Sequence, residues 1–174
     1  MLRRLLQMPS CNYKLLDNGL SKEEIKILYS HFLNKKYDVT HRSHDMRQTI
    51  HQAQLAYFLT DKDLNMNLVK KVFKEPVDVA YVQIYTPSTV PFMHKDHGYT
   101  SLTFIHPEYS VDWGGEFILY GDEDIGTAFQ PIPGRTILFN GNRYNHVGRA
   151  FNHLSKYHRM ILVGNYNNGQ VAWN

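Results

Sequence analysis

His94-Lys95-Asp96 and, fifty positions after Asp96, His146 are the residues of this 174-residue chain whose types and spacing could do chemistry. Residues two apart in an extended segment project to the same side. His94 and Asp96 can therefore present an imidazole and a carboxylate to one ion. His146 follows the strand-like run Arg135-Thr136-Ile137-Leu138-Phe139 and the loop 140–145, and is the candidate third donor. Two imidazoles and one carboxylate hold a non-haem Fe(II) by one face and leave its other positions open. In a chain with ten histidines, however, an isolated His-x-Asp is also what an ordinary polar loop produces.

Composition narrows the chemistry. The single Cys11 excludes a disulfide framework and a cysteine-based zinc site, and suits a reducing, cytoplasmic setting, that of a host if the chain is viral. No apolar run reaches the ~18–20 residues that span a bilayer, so no membrane partner is expected. The chain has no GxxxxGKS/T phosphate loop, no GxGxxG after a strand, no HExxH and no GxSxG. Nucleotide folds, zinc helices and serine hydrolases thereby lose their main support. Residues 1–75 carry 13 Lys/Arg against 8 Asp/Glu, and residues 76–174 carry 6 against 8. The basic half, with Arg42, Arg47, Lys70, Lys71 and Lys74, holds no nucleic-acid motif and reads as a solvated helical surface, so a nucleic acid is not an expected partner.

Period changes where charge does. Ser21 and Glu24 form a capping box ahead of Ile25, Leu28, Tyr29 and Phe32, which recur at helical spacing. Further helices are expected over residues 45–59 and 62–74, the last ended by Pro76. Beyond it lie short β-rich runs at 78–86, 100–105, 116–120, 127–130, 135–139, 145–150 and 158–166, punctuated by Gly114-Gly115, Gly121 and Pro133-Gly134. Helices first and strands second implies an α+β fold in one domain, 1–174: a helical flank over 1–75 and a jelly-roll core over 76–174.

Residues 81–166 resemble the Fe(II)- and 2-oxoglutarate-dependent dioxygenases, in particular the prolyl-4-hydroxylase-like branch. Five elements occur in that branch's order. Tyr85 ends a strand nine residues before His94 of the His-x-Asp pair. Asp112-Trp113-Gly114-Gly115-Glu116-Phe117 matches its Gly-Gly-Glu turn. Pro131-Ile132-Pro133-Gly134-Arg135-Thr136-Ile137-Leu138-Phe139 leads to the distal His146-Val147. Arg159-Met160-Ile161-Leu162 opens the last strand.

The resemblance implies a double-stranded β-helix (jelly-roll) with the N-terminal helices packed against its major sheet. It implies Fe(II) on His94, Asp96 and His146, with 2-oxoglutarate and O2 as cosubstrates, succinate and CO2 as products, and ascorbate as a supporting reductant. Arg159 would hold the far carboxylate of 2-oxoglutarate. It lies thirteen residues after the distal histidine, where nine to eleven is usual, and Lys156, ten after, is its rival. Arg159 is favoured because Met160-Ile161-Leu162-Val163 continues a strand directly from it. Tyr85 and Thr103 would add hydroxyl contacts to the cosubstrate, while Asn145, Arg149 and Trp113 would lie on the rim. The other eight histidines are not expected to ligate. A carboxylate at Asp96 argues against halogenation, which needs that position vacant. The substrate would be a prolyl residue or another amino acid, a peptide or protein, or a small molecule, and the helical flank would shape the pocket rim or a dimer. Two other readings remain: a jelly-roll enzyme using zinc or manganese without 2-oxoglutarate, and a non-catalytic binding module.

Overall fold

The computed structural model describes residues 12–17, 19–40, 54–87, 89, 91, 93–121 and 125–167. Among these residues, ten strands form two antiparallel sheets. The chain runs β1 (Tyr13–Asp17), α1 (Lys22–Leu33), β2 (Asp38–Thr40), β3 (Gln54–Phe58), α2 (Asp61–Leu64), α3 (Asn67–Val72) and β4 (Val79–Tyr85). It continues through β5 (Tyr99–Phe104), a 3-10 turn (Val111–Trp113), β6 (Phe117–Tyr120), β7 (Gly126–Phe129), β8 (Arg135–Asn140), β9 (Asn145–Gly148) and β10 (Arg159–Tyr166). The major sheet has the order β1-β8-β5-β10-β4-β3-β2, and the minor sheet β7-β6-β9. This is the double-stranded β-helix expected from the sequence.

Strand alternation divides the apolar residues between two layers. On β10, Ile161 and Val163 face the lumen between the sheets and join Phe104, Phe117, Leu119, Ile137 and Phe139. Met160 and Leu162 face the other way, toward the helices. There they meet Leu28, Tyr29 and Phe32 of α1 and Val69 and Val72 of α3. Burying each such side chain stabilises the fold by roughly 2 kcal/mol. The capping box on α1 is present: Ser21 Oγ accepts from the Glu24 amide at 3.1 Å, and the Ser21 amide donates to Glu24 Oε2 at 2.7 Å.

The expected all-helical flank is corrected. Residues 54–58 form a strand, with Leu55 and Tyr57 packed toward the helices, Ala56 toward the lumen, and pairing to β4. Apolar residues in that window satisfy both periods, and the free edge of β4 decides between them. The remainder of the expected helix, 45–53, lies outside the described residues. The 62–74 helix is two short ones, because Thr60 caps a first turn and Asn65-Met66 interrupts it. β1 and β2 were not expected at all. Strands from before Pro76 thus complete both edges of the major sheet. Among the described residues, no helix is long and apolar enough to cross a membrane.

Asp63 ties the flank together. Its buried carboxylate accepts from Tyr57 Oη (2.6 Å), Thr60 N (3.0 Å) and Thr60 Oγ1 (2.6 Å), and pairs with His31 Nε2 and Lys35 Nζ at 2.9 Å each. Burial pushes its pKa up, but the bonds from Thr60, Tyr57, His31 and Lys35 outweigh it and hold the carboxyl well below the ordinary range. A depressed carboxyl pKa stabilises the fold above the unfolded value near ~3.9, and that contribution is lost as pH falls below it. Asp63→Ala should lower stability by about 3 kcal/mol at pH 7 and flatten the steepest, most acidic part of the stability curve. Urea midpoints measured from pH 7 to pH 3 check both.

Candidate metal centre and cosubstrate pocket

His94 and His146 are joined through the backbone before any metal is considered. The His94 amide donates to the His146 carbonyl at 3.1 Å, and the His146 amide donates to the His94 carbonyl at 2.8 Å. This bridge extends the minor sheet beyond β9 and sets the two imidazoles side by side, ring centroids 4.2 Å apart. Asp96, two residues on, faces the same space, with Oδ1 3.6 Å from His94 Nε2 and Oδ2 3.4 Å from His146 Nε2. One donor atom from each residue lies within 4.8 Å of the others. Cis ligands about 2.1 Å from an ion stand about 3 Å apart, so a small inward movement completes the set.

Surrounding groups aim the donors. The Asp96 amide donates to the Gly141 carbonyl at 3.1 Å, and Thr100 Oγ1 donates to Asp96 Oδ2 at 2.9 Å. Asn165 Nδ2 donates in turn to Thr100 Oγ1 at 3.1 Å. His146 Nδ1 lies 3.4 Å from the Tyr144 carbonyl. A carbonyl only accepts, so Nδ1 carries the proton and Nε2 keeps its lone pair for a metal. Phe117 and Phe139 pack on the His146 ring at 5.6 and 4.8 Å between centroids. At Gly141 a Cβ would stand 2.7 Å from Asp96 Cβ, which is why this position carries no side chain.

Arg159 lies in the same lumen, at the start of β10 opposite Tyr85. It is fully buried. Its Nε donates to the Gly115 carbonyl at 2.8 Å, and the guanidinium lies 4.5 Å from the Tyr85 ring and 5.2 Å from the Phe104 ring. Among the described residues, Nη1 and Nη2 have no partner within hydrogen-bond geometry. Burial draws the guanidinium below its ordinary pKa, against the opposing pull of Tyr85 and Glu116. Two unpaired nitrogens on a buried cation form a fork for a planar anion. Gly148 keeps the approach open, because a Cβ there would sit 3.0 Å from Tyr85 Oη and 3.2 Å from Arg159 Nη1. Tyr85 Oη donates to Gln83 Oε1 at 2.9 Å. The space enclosed by the triad, Tyr85, Phe117 and Gly148 is about 20 Å³, so a dicarboxylate would have to part these side chains to enter.

The other expected contacts divide clearly. Thr103 is corrected: it faces the helix side of β5, opposite to Leu102 and Phe104, and its hydroxyl is 2.6 Å from that of Thr136. Counting from its strand neighbours places it away from the lumen. Lys156 is exposed in the loop before β10. Arg149 is exposed, Asn145 is half-buried, and Trp113 packs on Phe151 and Tyr157. His97, His153 and His158 are exposed. Gln83, Thr100, Gly141 and Gly148 went unread in the sequence, since only the pairing of β4, β5 and β9, and the turn that follows β8, bring them to the site.

His106 was also passed over. It is fully buried, with Nε2 donating to the Pro131 carbonyl at 2.7 Å and Nδ1 without a partner in hydrogen-bond geometry among the described residues. Burial, assisted by the Arg159 charge, lowers its pKa to about 4. A depressed histidine pKa stabilises the fold above the unfolded value near ~6.5, and that contribution is lost as pH falls toward the folded one. His106→Gln should therefore remove a loss of about 3 kcal/mol between pH 6.5 and 4, as measured by urea unfolding at each pH. For the metal site, Thr100→Val and Gly141→Ala should each weaken Mn(II) or Co(II) affinity by about 10–100-fold in calorimetric titrations.

No family model and no curated relative matches the sequence. Solved structures match in fold. A prolyl hydroxylase from Trichoplax adhaerens, in complex with a hypoxia-inducible-factor oxygen-degradation-domain peptide, superposes with a TM-score of 0.70 at 15% identity, over 92% of this chain and 86% of that one. A Pseudomonas putida prolyl-4-hydroxylase gives 0.64 at 10%, over 89% and 91%. HygX from Streptomyces hygroscopicus, with nickel and 2-oxoglutarate bound, gives 0.62 at 9%, over 89% and 83%. The fold is thus shared with 2-oxoglutarate–Fe(II) oxygenases, and the His94-Asp96-His146 triad fits an iron site.

Proposed function

We propose that this chain is an Fe(II)- and 2-oxoglutarate-dependent dioxygenase that hydroxylates a prolyl residue or another amino-acid or peptide substrate, releasing succinate and CO2. The observation that carries the reading is the buried Arg159 fork in the same lumen as the triad. A zinc or manganese enzyme without 2-oxoglutarate has no use for an unpaired guanidinium there, and a binding module has no use for three aimed donors.

His94, Asp96 and His146 would hold Fe(II), which supplies O2 activation coupled to cosubstrate decarboxylation. The chain's own residues position and shield. Arg159 pairs its two free nitrogens with the distal carboxylate of 2-oxoglutarate, and Tyr85, released from Gln83, offers its hydroxyl to the same group. Gly148 leaves room for both. Phe104, Phe117, Phe139 and Ile161 keep water from the lumen, which strengthens every charge contact inside it.

Succinate formation in Fe(II), ascorbate and 2-oxoglutarate tests the reading. Asp96→Ala should reduce it at least 100-fold, and normal turnover in that variant would refute the assignment. Arg159→Ala should raise the half-saturating 2-oxoglutarate concentration at least tenfold, whereas Lys156→Ala should leave it within twofold. The reverse order would move the anchor to Lys156.

A further inference from the structure

The seven-stranded sheet is wider than the minor sheet that covers it, and the excess lies over β3 and β4. Their lumen-side residues Ala56, Phe58, Tyr81 and Gln83 floor a groove of about 340 Å³. The groove reaches Asp96 at one end, so it opens directly on the metal centre. Phe58 and Val79 are 55% and 40% exposed, and the Phe58 and Tyr81 rings lie 5.6 Å apart, forming an apolar shelf. The opposite wall is polar: Lys95, His97, Asn165 and Asn167.

Charge in this groove is one-sided. Apart from Asp96, which belongs to the candidate metal site, Lys95 is the only formally charged residue among the described residues that line it. Lys95 is exposed and forms no ion pair among the described residues. Asp78, near the rim, accepts a hydrogen bond from the Asn167 amide at 2.6 Å and does not line the groove. An apolar shelf facing a lone cation, in a cavity of small-molecule size, suits a ligand with an apolar body and one negative group.

We infer that this groove seats the substrate, and that the substrate carries a carboxylate held by Lys95 while its apolar part lies on Phe58 and Tyr81. The inference rests on the proposed oxygenase reading for the word substrate, but the groove's preference for a carboxylate can be tested without turnover. That carboxylate could be the main-chain carboxylate of an amino acid or an acidic side chain within a peptide, and the two sources are separable.

Binding to zinc-loaded protein, followed by NMR titration, uses matched probes: N-acetylproline against N-acetylprolinamide, and a capped Glu-Pro-Gly peptide against its Gln-Pro-Gly counterpart. In at least one pair the carboxylate should bind at least tenfold more tightly than its neutral partner. The pair that discriminates identifies the source. Lys95→Met should reduce that preference to within twofold. Because Lys95 lies between two candidate metal ligands, a second variant works from another residue of the lining: Asn167→Asp should weaken the carboxylate probe at least fivefold and leave the neutral one within twofold. Equal affinity within both pairs, failure of all four probes to bind, or a preference that survives both substitutions would overturn the inference. Loss of succinate formation would instead count against the oxygenase reading, and leaves the binding result standing.

Discussion

A cation buried without a full set of partners is the constraint around which this molecule is arranged. Arg159 satisfies one nitrogen on the Gly115 carbonyl and leaves two unpaired in a lumen of aromatic rings. Such a group costs several kcal/mol unless its surroundings compensate. The compensation visible here is cation–π contact with Tyr85 and Phe104, the neutral state of neighbouring His106, and the more distant charge of Glu116. A dicarboxylate cosubstrate would complete it. On the proposed reading, the cost of the unpaired fork would become selectivity for an anion, which a paired arginine would not provide.

Two glycines make this possible by what they lack. Gly115 has φ +86°, and a side chain there would collide with the Phe151 ring. Its carbonyl can therefore approach Arg159 Nε from a backbone geometry that other residues rarely adopt. Gly148 leaves the space beside Tyr85 Oη and Nη1 open. The triad depends on a different device, the two-bond bridge between the His94 and His146 backbones. Because that bridge is built from main-chain groups, it sets the two imidazoles side by side across the 51 residues that separate them in sequence.

Alternation along β10 couples these sites to the rest of the fold. Arg159, Ile161 and Val163 face the lumen, while Met160 and Leu162 anchor the strand on α1 and α3. A one-residue slip would turn Arg159 into the helix layer and expel the fork. The Asp63 network holds α1, α2 and β3 together on that side, and β3 in turn supplies half the shelf of the open groove.

Much of the core was legible in the sequence because its signals are local. The seven runs beyond Pro76 are short and β-rich, set off by glycine and proline breaks, and each is a strand. His94-x-Asp96, Gly114-Gly115 and the Arg159 run are short motifs whose geometry follows from adjacent residues. Residues 54–58 were misread because an apolar window that fits both periods has no local answer. Thr103 turns away from the lumen because alternation along β5 gives that side to Leu102 and Phe104, and which side is the lumen is known only once the sheets have closed.

By itself the sequence determined the candidate donor types, their order, the strand that opens at Arg159, and the exclusion of thiolate chemistry. Tertiary structure decided which arginine or lysine is buried, which hydroxyl faces the lumen, and that β3 leaves a groove open beside the candidate metal site. The physical reason is that hydrogen-bonding period is written in neighbouring residues. Burial and facing are set by partners distant in sequence, and those exist only once the sheets have closed.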